Sequence, residues 1–139
     1  MSKKKYKILI VASSFYNDVT SKMINSAEEE LKKNNCSYKI LQVQGSLEIP
    51  TLISIKLKKE KYDGALALGC IIKGQTTHNE VIASTITSSL LNISILNLKP
   101  VGNAVLSCSN LKQAIARTRG SKNRAAEAVN AIISVLDNI

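Results

Sequence analysis

The sequence predicts an α/β three-layer sandwich on a mostly parallel four-stranded sheet. Two observations carry that prediction. Short apolar runs rich in β-branched residues alternate with amphipathic stretches of helical spacing, in the order βαβαβαβαα. The runs KILIVAS (7–13) and GALALGCII (64–72) are almost continuously apolar, as expected of strands covered on both faces. No repeat, low-complexity segment or linker interrupts the pattern, and 139 residues suit one core. The expected organisation is a single domain over 1–139 with a basic tail at 1–6.

In chain order, residues 7–13 read as a central strand. Thr20 or Ser21 can cap a helix to about Asn34, with Met23, Ile24, Ala27 and Leu31 on one face and Lys32 and Lys33 at its negative end. YKILQV (38–43) is a second strand, closed by Gln44-Gly45. Pro50 suits a first helical turn and opens a helix to about Lys59. GALALGCII is the third strand, and a helix runs from about His78 to Leu91. ISILNL (93–98) is expected as the fourth strand, ended by Lys99-Pro100-Val101-Gly102. NAVLSC (103–108) is a short strand or an extended loop. Asn110 is expected to cap a helix over 111–118, Gly120 to interrupt it, and a last helix to cover 123–137.

Bulk properties narrow the function classes. With 45% apolar residues and a mean hydropathy of +0.03 the chain is not of disordered composition. No apolar run approaches the roughly 18 residues of a bilayer span. In MSKKKYKILIVASSF the apolar part is only Ile8–Ala12, without a small-residue cleavage site, so it reads as a first strand behind a basic tail. A cytoplasmic location is the expectation. Cys36, Cys70 and Cys108 are widely spaced with no C-x-x-C, which indicates neither a zinc site nor a disulfide framework. The net charge of +9 favours anionic partners, and Lys112, Arg117, Arg119, Lys122 and Arg124 form one stretch without an acid. An aromatic content of 4% argues against single-strand nucleic-acid binding by stacking.

The polar segments Phe15–Asn17, Gly45–Glu48, Lys73–His78 and Lys99–Asn103 each follow an expected strand. In open parallel sheets, ligands bind beyond the carboxyl ends of the strands near a switch in strand order. These segments are therefore expected to gather at one edge. Within them, K-G-Q-T-T-H (73–78) is neither dinucleotide nor P-loop fingerprint. Its glycine and following helix can hold an anion, or it is an ordinary capping loop. Arg117 with its basic neighbours can complete a phosphate site, or is a solvated helix face. His78, the one histidine, can act as acid or base, or caps its own helix. Glu48 can bind a ligand polyol or amine, or caps the helix at Pro50. Phe15, the single phenylalanine, can stack on a flat ring or join the core.

Taken together, SSFYNDVTSKM, VQGSLEIP, ALGCIIKGQTTHNEV and SNLKQAIARTRGSKNRAAEA resemble the 6,7-dimethyl-8-ribityllumazine synthase family over nearly the whole chain. The resemblance implies a flavodoxin-like fold and no metal or organic cofactor. It implies condensation of two small-molecule substrates, 5-amino-6-(D-ribitylamino)uracil and 3,4-dihydroxy-2-butanone 4-phosphate, to the lumazine with release of phosphate and water. Carried over by position, Phe15 stacks on the pyrimidine, and Ser46, Leu47 and Glu48 hold the ring and ribityl chain. Cys70, Ile71 and Ile72 meet the uracil edge through their backbone. Gln75, Thr76 and Arg117 bind phosphate, and His78 transfers a proton. The family's homo-oligomer is a pentamer, in some members an icosahedral shell, with active sites shared between subunits; neither nucleic acid nor membrane is implied as a partner. Three departures stand out. Tyr16 is inserted between Phe15 and Asn17, Asn103 replaces an aromatic that closes the neighbouring subunit's pocket, and Arg124 replaces a lysine. Rival readings are an archaeal-type riboflavin synthase, which needs no phosphate site, a basic nucleic-acid-binding module, and a lumazine or flavin carrier without turnover.

Overall fold

The computed structural model describes residues 5–73 and 78–139. Its elements are β1 (Lys7–Ser13), α1 (Asn17–Lys33), β2 (Ser37–Val43), α2 (Ile49–Lys59), β3 (Gly64–Ile72), α3 (Asn79–Asn97), β4 (Val101–Cys108), α4 (Leu111–Ala116) and α5 (Arg124–Leu136). Single 3-10 turns precede α2 (Ser46–Glu48) and α5 (Gly120–Lys122).

The four strands are all parallel, in the order β2-β1-β3-β4. The chain winds outward from β1 to β2, then crosses back to β3 and β4, so the order reverses between β1 and β3. On one face, Ile8, Ile10 and Ala12 of β1 pack with Met23 and Leu31 of α1 and Val129 and Ile132 of α5. On the other, Leu9 and Val11 pack with Ile49 and Ile53 of α2 and Ile86 and Leu90 of α3. Alternation along each strand thus feeds two cores, which is why the central strands are apolar at nearly every position.

The fourth strand is not where the sequence pattern puts it. Residues 93–97 continue α3, and β4 is Val101–Cys108. A short apolar run does not distinguish strand from helix, and extending a helix already nucleated costs little. Ile93 packs inward while Ile95, Leu96 and Leu98 are exposed, a helical rather than an alternating distribution. Leu98 then ends the helix in the left-handed conformation. In β4, Gly102, Ala104, Leu106 and Cys108 are buried in alternation, a pattern that Gly102 and Asn103 disguise in the sequence. Lys99–Asn103 consequently enters the sheet at the edge opposite the other polar segments. Asn103 lies mid-strand opposite Ala67.

The first helix also begins earlier than expected. Neither Thr20 nor Ser21 caps it; Tyr16 occupies the N-cap position and its carbonyl accepts from the amides of Val19 and Thr20 at 2.9 and 3.1 Å. The expected cap Asn110 is present, its side chain accepting from the Gln113 amide at 2.8 Å; Asn123, expected as the first residue of the last helix, caps it instead, accepting from the Ala126 amide at 3.1 Å. Among the described residues, no helix is long and apolar enough to cross a membrane.

Gly102 allows α5 to lie close against β4. A Cβ there would stand 2.8 Å from Ile132 Cδ1 and 3.0 Å from the Ala128 carbonyl oxygen. Gly102→Ala is expected to lower stability by about 1–3 kcal/mol through overpacking, read as a reduced urea midpoint with an unchanged slope. An unchanged midpoint would show that α5 is free to move away.

Candidate functional site

The ends of β1, β2 and β3 meet where the strand order reverses, and there the structure has a cavity of about 370 Å³. Its walls come from three segments. Phe15 and Tyr16 follow β1, Gly45–Glu48 follow β2, and Cys70–Ile72 close β3; Ile82 of α3 completes the lining. Of the residues singled out in the sequence, Phe15, Ser46, Leu47, Glu48, Cys70, Ile71 and Ile72 are thereby brought together.

Phe15 is 62% exposed, which removes the core alternative for it. Its amide is fixed to the Gln44 carbonyl at 3.1 Å, and the neighbouring Ser14 amide to Val43 at 2.8 Å, so the loops after β1 and β2 are tied together. Tyr16 holds φ 58, ψ 51, a left-handed conformation that costs a bulky L-residue about 1–2 kcal/mol. The two rings pack edge to face with centroids 4.7 Å apart.

Glu48 occupies the N-cap position of α2 without making a side-chain capping bond. Its carboxylate instead turns back over Gly45, where an added Cβ would lie 3.1 Å from Oε2. The capping alternative for Glu48 is therefore not the one adopted. Ser46 is buried against Gly69 of β3, and a Cβ on Gly69 would stand 2.5 Å from Ser46 Oγ. Beneath them lies Ser13 Oγ, fully buried and without a hydrogen-bond partner among the described residues.

Cys70 contributes no nucleophile. Burial, and then the neighbouring Cys108, push its thiol up to about 12, so it stays protonated near neutral pH. The end of β3 offers its backbone rather than its sulfur. All three cysteines are unpaired and buried.

Arg117 lies outside this cavity. With Gln113, Lys122, Arg124 and Glu127 it lines a second depression of about 320 Å³. Its Nη1 donates to the Ser107 carbonyl at 3.2 Å and contacts Cys108 Sγ at 3.4 Å, which fixes the guanidinium at the end of β4. Burial raises the Cys108 thiol, and the Arg117 charge opposes that rise. His78 stands exposed at the N-cap of α3, its carbonyl accepting from the Ile82 amide at 2.9 Å. Asn79, its buried neighbour, donates from Nδ2 to Ser107 Oγ at 3.2 Å. Arg117 and the start of α3 are thus both anchored on Ser107. The Lys73 amide bonds the Cys108 carbonyl at 2.9 Å, so the loop joining β3 to α3 departs from the same place. Gln75 and Thr76 lie outside the described residues.

Asn103 is not part of the cavity within its own chain. It donates to Thr87 Oγ1 of α3 at 3.0 Å and accepts from the Val105 amide at 3.0 Å. Sequence reasoning singled out neither Gly69, Ile82, Asn79 nor Ser107. Gly69 and Asn79 sit inside the stretch ALGCIIKGQTTHNEV that carried the resemblance, whereas nothing in the sequence marks Ile82 or Ser107.

The family model for 6,7-dimethyl-8-ribityllumazine synthase matches residues 5–139. The 6,7-dimethyl-8-ribityllumazine synthase of Bartonella bacilliformis is 38% identical over 92% of this chain and 88% of its own. That of Bartonella henselae is 36% identical, covering 96% and 88%, and that of Afipia carboxidovorans 34%, covering 94% and 83%.

The packing of Gly69 against Ser46 gives a test of the site's architecture. Gly69→Ala is expected to displace the Ser46–Glu48 turn and weaken ligand binding at the cavity about 10-fold or more. Calorimetric titration checks this, with circular dichroism confirming the fold; wild-type affinity would show that the turn can shift without consequence.

Proposed function

We infer the reaction from one premise: the chain belongs to the 6,7-dimethyl-8-ribityllumazine synthase family. It is a transferase of riboflavin biosynthesis. It condenses 5-amino-6-(D-ribitylamino)uracil with 3,4-dihydroxy-2-butanone 4-phosphate, giving 6,7-dimethyl-8-ribityllumazine with loss of phosphate and water. The observation that best supports assigning this chemistry to the switch-point cavity is its lining: an exposed aromatic ring, the end of β3 beyond its last pairing with β1, a carboxylate and a hydroxyl.

In the mechanism proposed here, Phe15 stacks on the pyrimidine, and the backbone of Cys70, Ile71 and Ile72 pairs with the uracil edge. Ser46, Leu47 and Glu48 hold the ring and the ribityl hydroxyls. The pyrimidine's own 5-amino group attacks the ketone of the second substrate, and loss of water leaves an imine. Elimination of phosphate follows, and the ribitylamino nitrogen closes the ring with loss of a second water. No activated serine or cysteine is needed, which agrees with the protonated state of Cys70. Arg117, Gln75 and Thr76 take the phosphate, whose developing charge a fixed guanidinium stabilises as the bond breaks. His78 carries protons between the amine, the imine and the departing groups. Holding two substrates in register supplies much of the acceleration.

By the same reading the chain is a single domain in a cytoplasmic homopentamer. Leu91, Ile95 and Leu96 of α3, with Leu98 at its C-cap, expose a large apolar surface that assembly would cover. Asn103, exposed and outside its own cavity, would then border a neighbour's pocket. Sedimentation equilibrium is expected to return five times the 15.1 kDa chain mass, or a multiple of that where shells form; a monomer would refute the assembly.

The reaction is tested by following lumazine absorbance and phosphate release together. Coupled appearance is expected; product binding without either signal would instead make the chain a carrier. His78→Ala should slow turnover with little change in product affinity, and unchanged turnover would remove His78 from the mechanism. Arg117→Ala should raise the KM for the phosphorylated substrate about 10- to 100-fold, the range of a charge-assisted hydrogen bond. An equal rise for both substrates would mark a structural role.

A further inference from the structure

We propose that Tyr16 is a positioning residue that orients the Phe15 ring for a flat heteroaromatic substrate. The inference rests on the cavity described above being the pyrimidine site, and it assigns a function to a residue that departs from the family's pattern.

Most of the Phe15 surface is exposed, so the core does not fix the ring. An exposed phenylalanine explores several rotamers, and a ligand that stacks on it must immobilise one of them. The ring of Tyr16 meets it edge to face, with centroids 4.7 Å apart and planes at 77°. This is a preferred aromatic geometry, and it narrows the rotamers Phe15 can occupy. Both residues line the same cavity.

The Tyr16 ring is also held there at a backbone cost. Tyr16 adopts φ 58, in the region where glycine or asparagine is ordinarily found. The backbone's own task there, accepting from the Val19 and Thr20 amides to start α1, needs no aromatic side chain. An Asn follows immediately at position 17, so a residue suited to the conformation was one register step away. The strain is thus carried by a side chain that the helix start does not require, and its ring is engaged with Phe15. Strain retained beside a ligand cavity is a recognised mark of pre-organisation. The contact is between the two rings.

Tyr16→Gly removes the ring while keeping a residue that favours the left-handed backbone, so the fold is not put at risk. The experiment is calorimetric titration of 5-amino-6-(D-ribitylamino)uracil into wild type, Tyr16→Gly, Phe15→Leu and the double variant. Tyr16→Gly is expected to weaken binding about 2- to 10-fold, the range of one aromatic pair. Tyr16→Phe should rescue it. On the Phe15→Leu background the same change should add less than about 2-fold, because a residue acting through Phe15 has nothing left to act on. In turnover, Tyr16→Gly should raise the KM for the pyrimidine and leave that for the phosphorylated substrate. Wild-type affinity in Tyr16→Gly, or a full additional loss in the double variant, would overturn the inference. A wild-type chain that binds the pyrimidine without forming lumazine refutes the assigned reaction alone, and the titrations still decide the role of Tyr16. A wild-type chain that does not bind it refutes both.

Discussion

The ladder between β1 and β3 is the constraint on which the site depends. Its parallel register runs from Ile8 opposite Gly64 to Ala12 opposite Leu68. Because β1 and β3 are not consecutive, the connections that leave their carboxyl ends go to opposite faces, and a crevice opens between them. Phe15 and Tyr16 come from the end of β1, and Cys70–Ile72 from the end of β3. Ser46–Glu48 joins them because β2 lies on the far side of β1 in matching register, Lys7 opposite Ser37 through Ser13 opposite Val43. A slip of one residue in either ladder would send these side chains to the wrong face. The two buried cores therefore act as the template that sets the site's geometry.

Local order is relaxed at that crevice in a way absent from the centre of the sheet. Tyr16 is left-handed, Ser13 Oγ is buried without a hydrogen-bond partner among the described residues, and Gly69 admits the Ser46 hydroxyl where any Cβ would collide with it. Each feature opposes stability by a modest amount, and a well-packed double core can carry them. Their location fits a cavity that a ligand completes.

Much of this is legible in the sequence, and the reason differs from element to element. The continuous apolar runs at 7–13 and 64–72 are strands covered on both faces, as their β-branched content and flanking turn signals indicate, and Asn110 marks the start of α4 correctly. The resemblance names the cavity residues because its motifs lie in the loops that line the cavity. What misleads is the run ISILNL, whose periodicity is too short to separate a strand from the last turns of a helix. That ambiguity also moves Lys99–Asn103 to the wrong edge of the sheet. Tyr16 as the start of α1 is illegible for another reason: a left-handed N-cap has no compositional signal when the residue is aromatic. Ser107 cannot be singled out either, since its importance lies in partners 28 and 10 residues away.

Those two partners bear on how the chemistry is coordinated. Asn79 fixes the first turn of α3, immediately after His78, by bonding the Ser107 side chain, while Arg117 bonds the Ser107 backbone. One residue at the end of β4 thus sets the relative position of the proposed proton carrier and the proposed phosphate ligand, although neither lines the cavity proposed for the ring. Elimination of phosphate needs a proton moved and a negative charge stabilised in the same step. Anchoring both groups to a single strand end keeps their spacing fixed without requiring them to touch. The β3–β4 ladder, in which Ile71 stands opposite Ser107, sets the register between the proposed pyrimidine site at the ends of β1 to β3 and the proposed phosphate site at the end of β4.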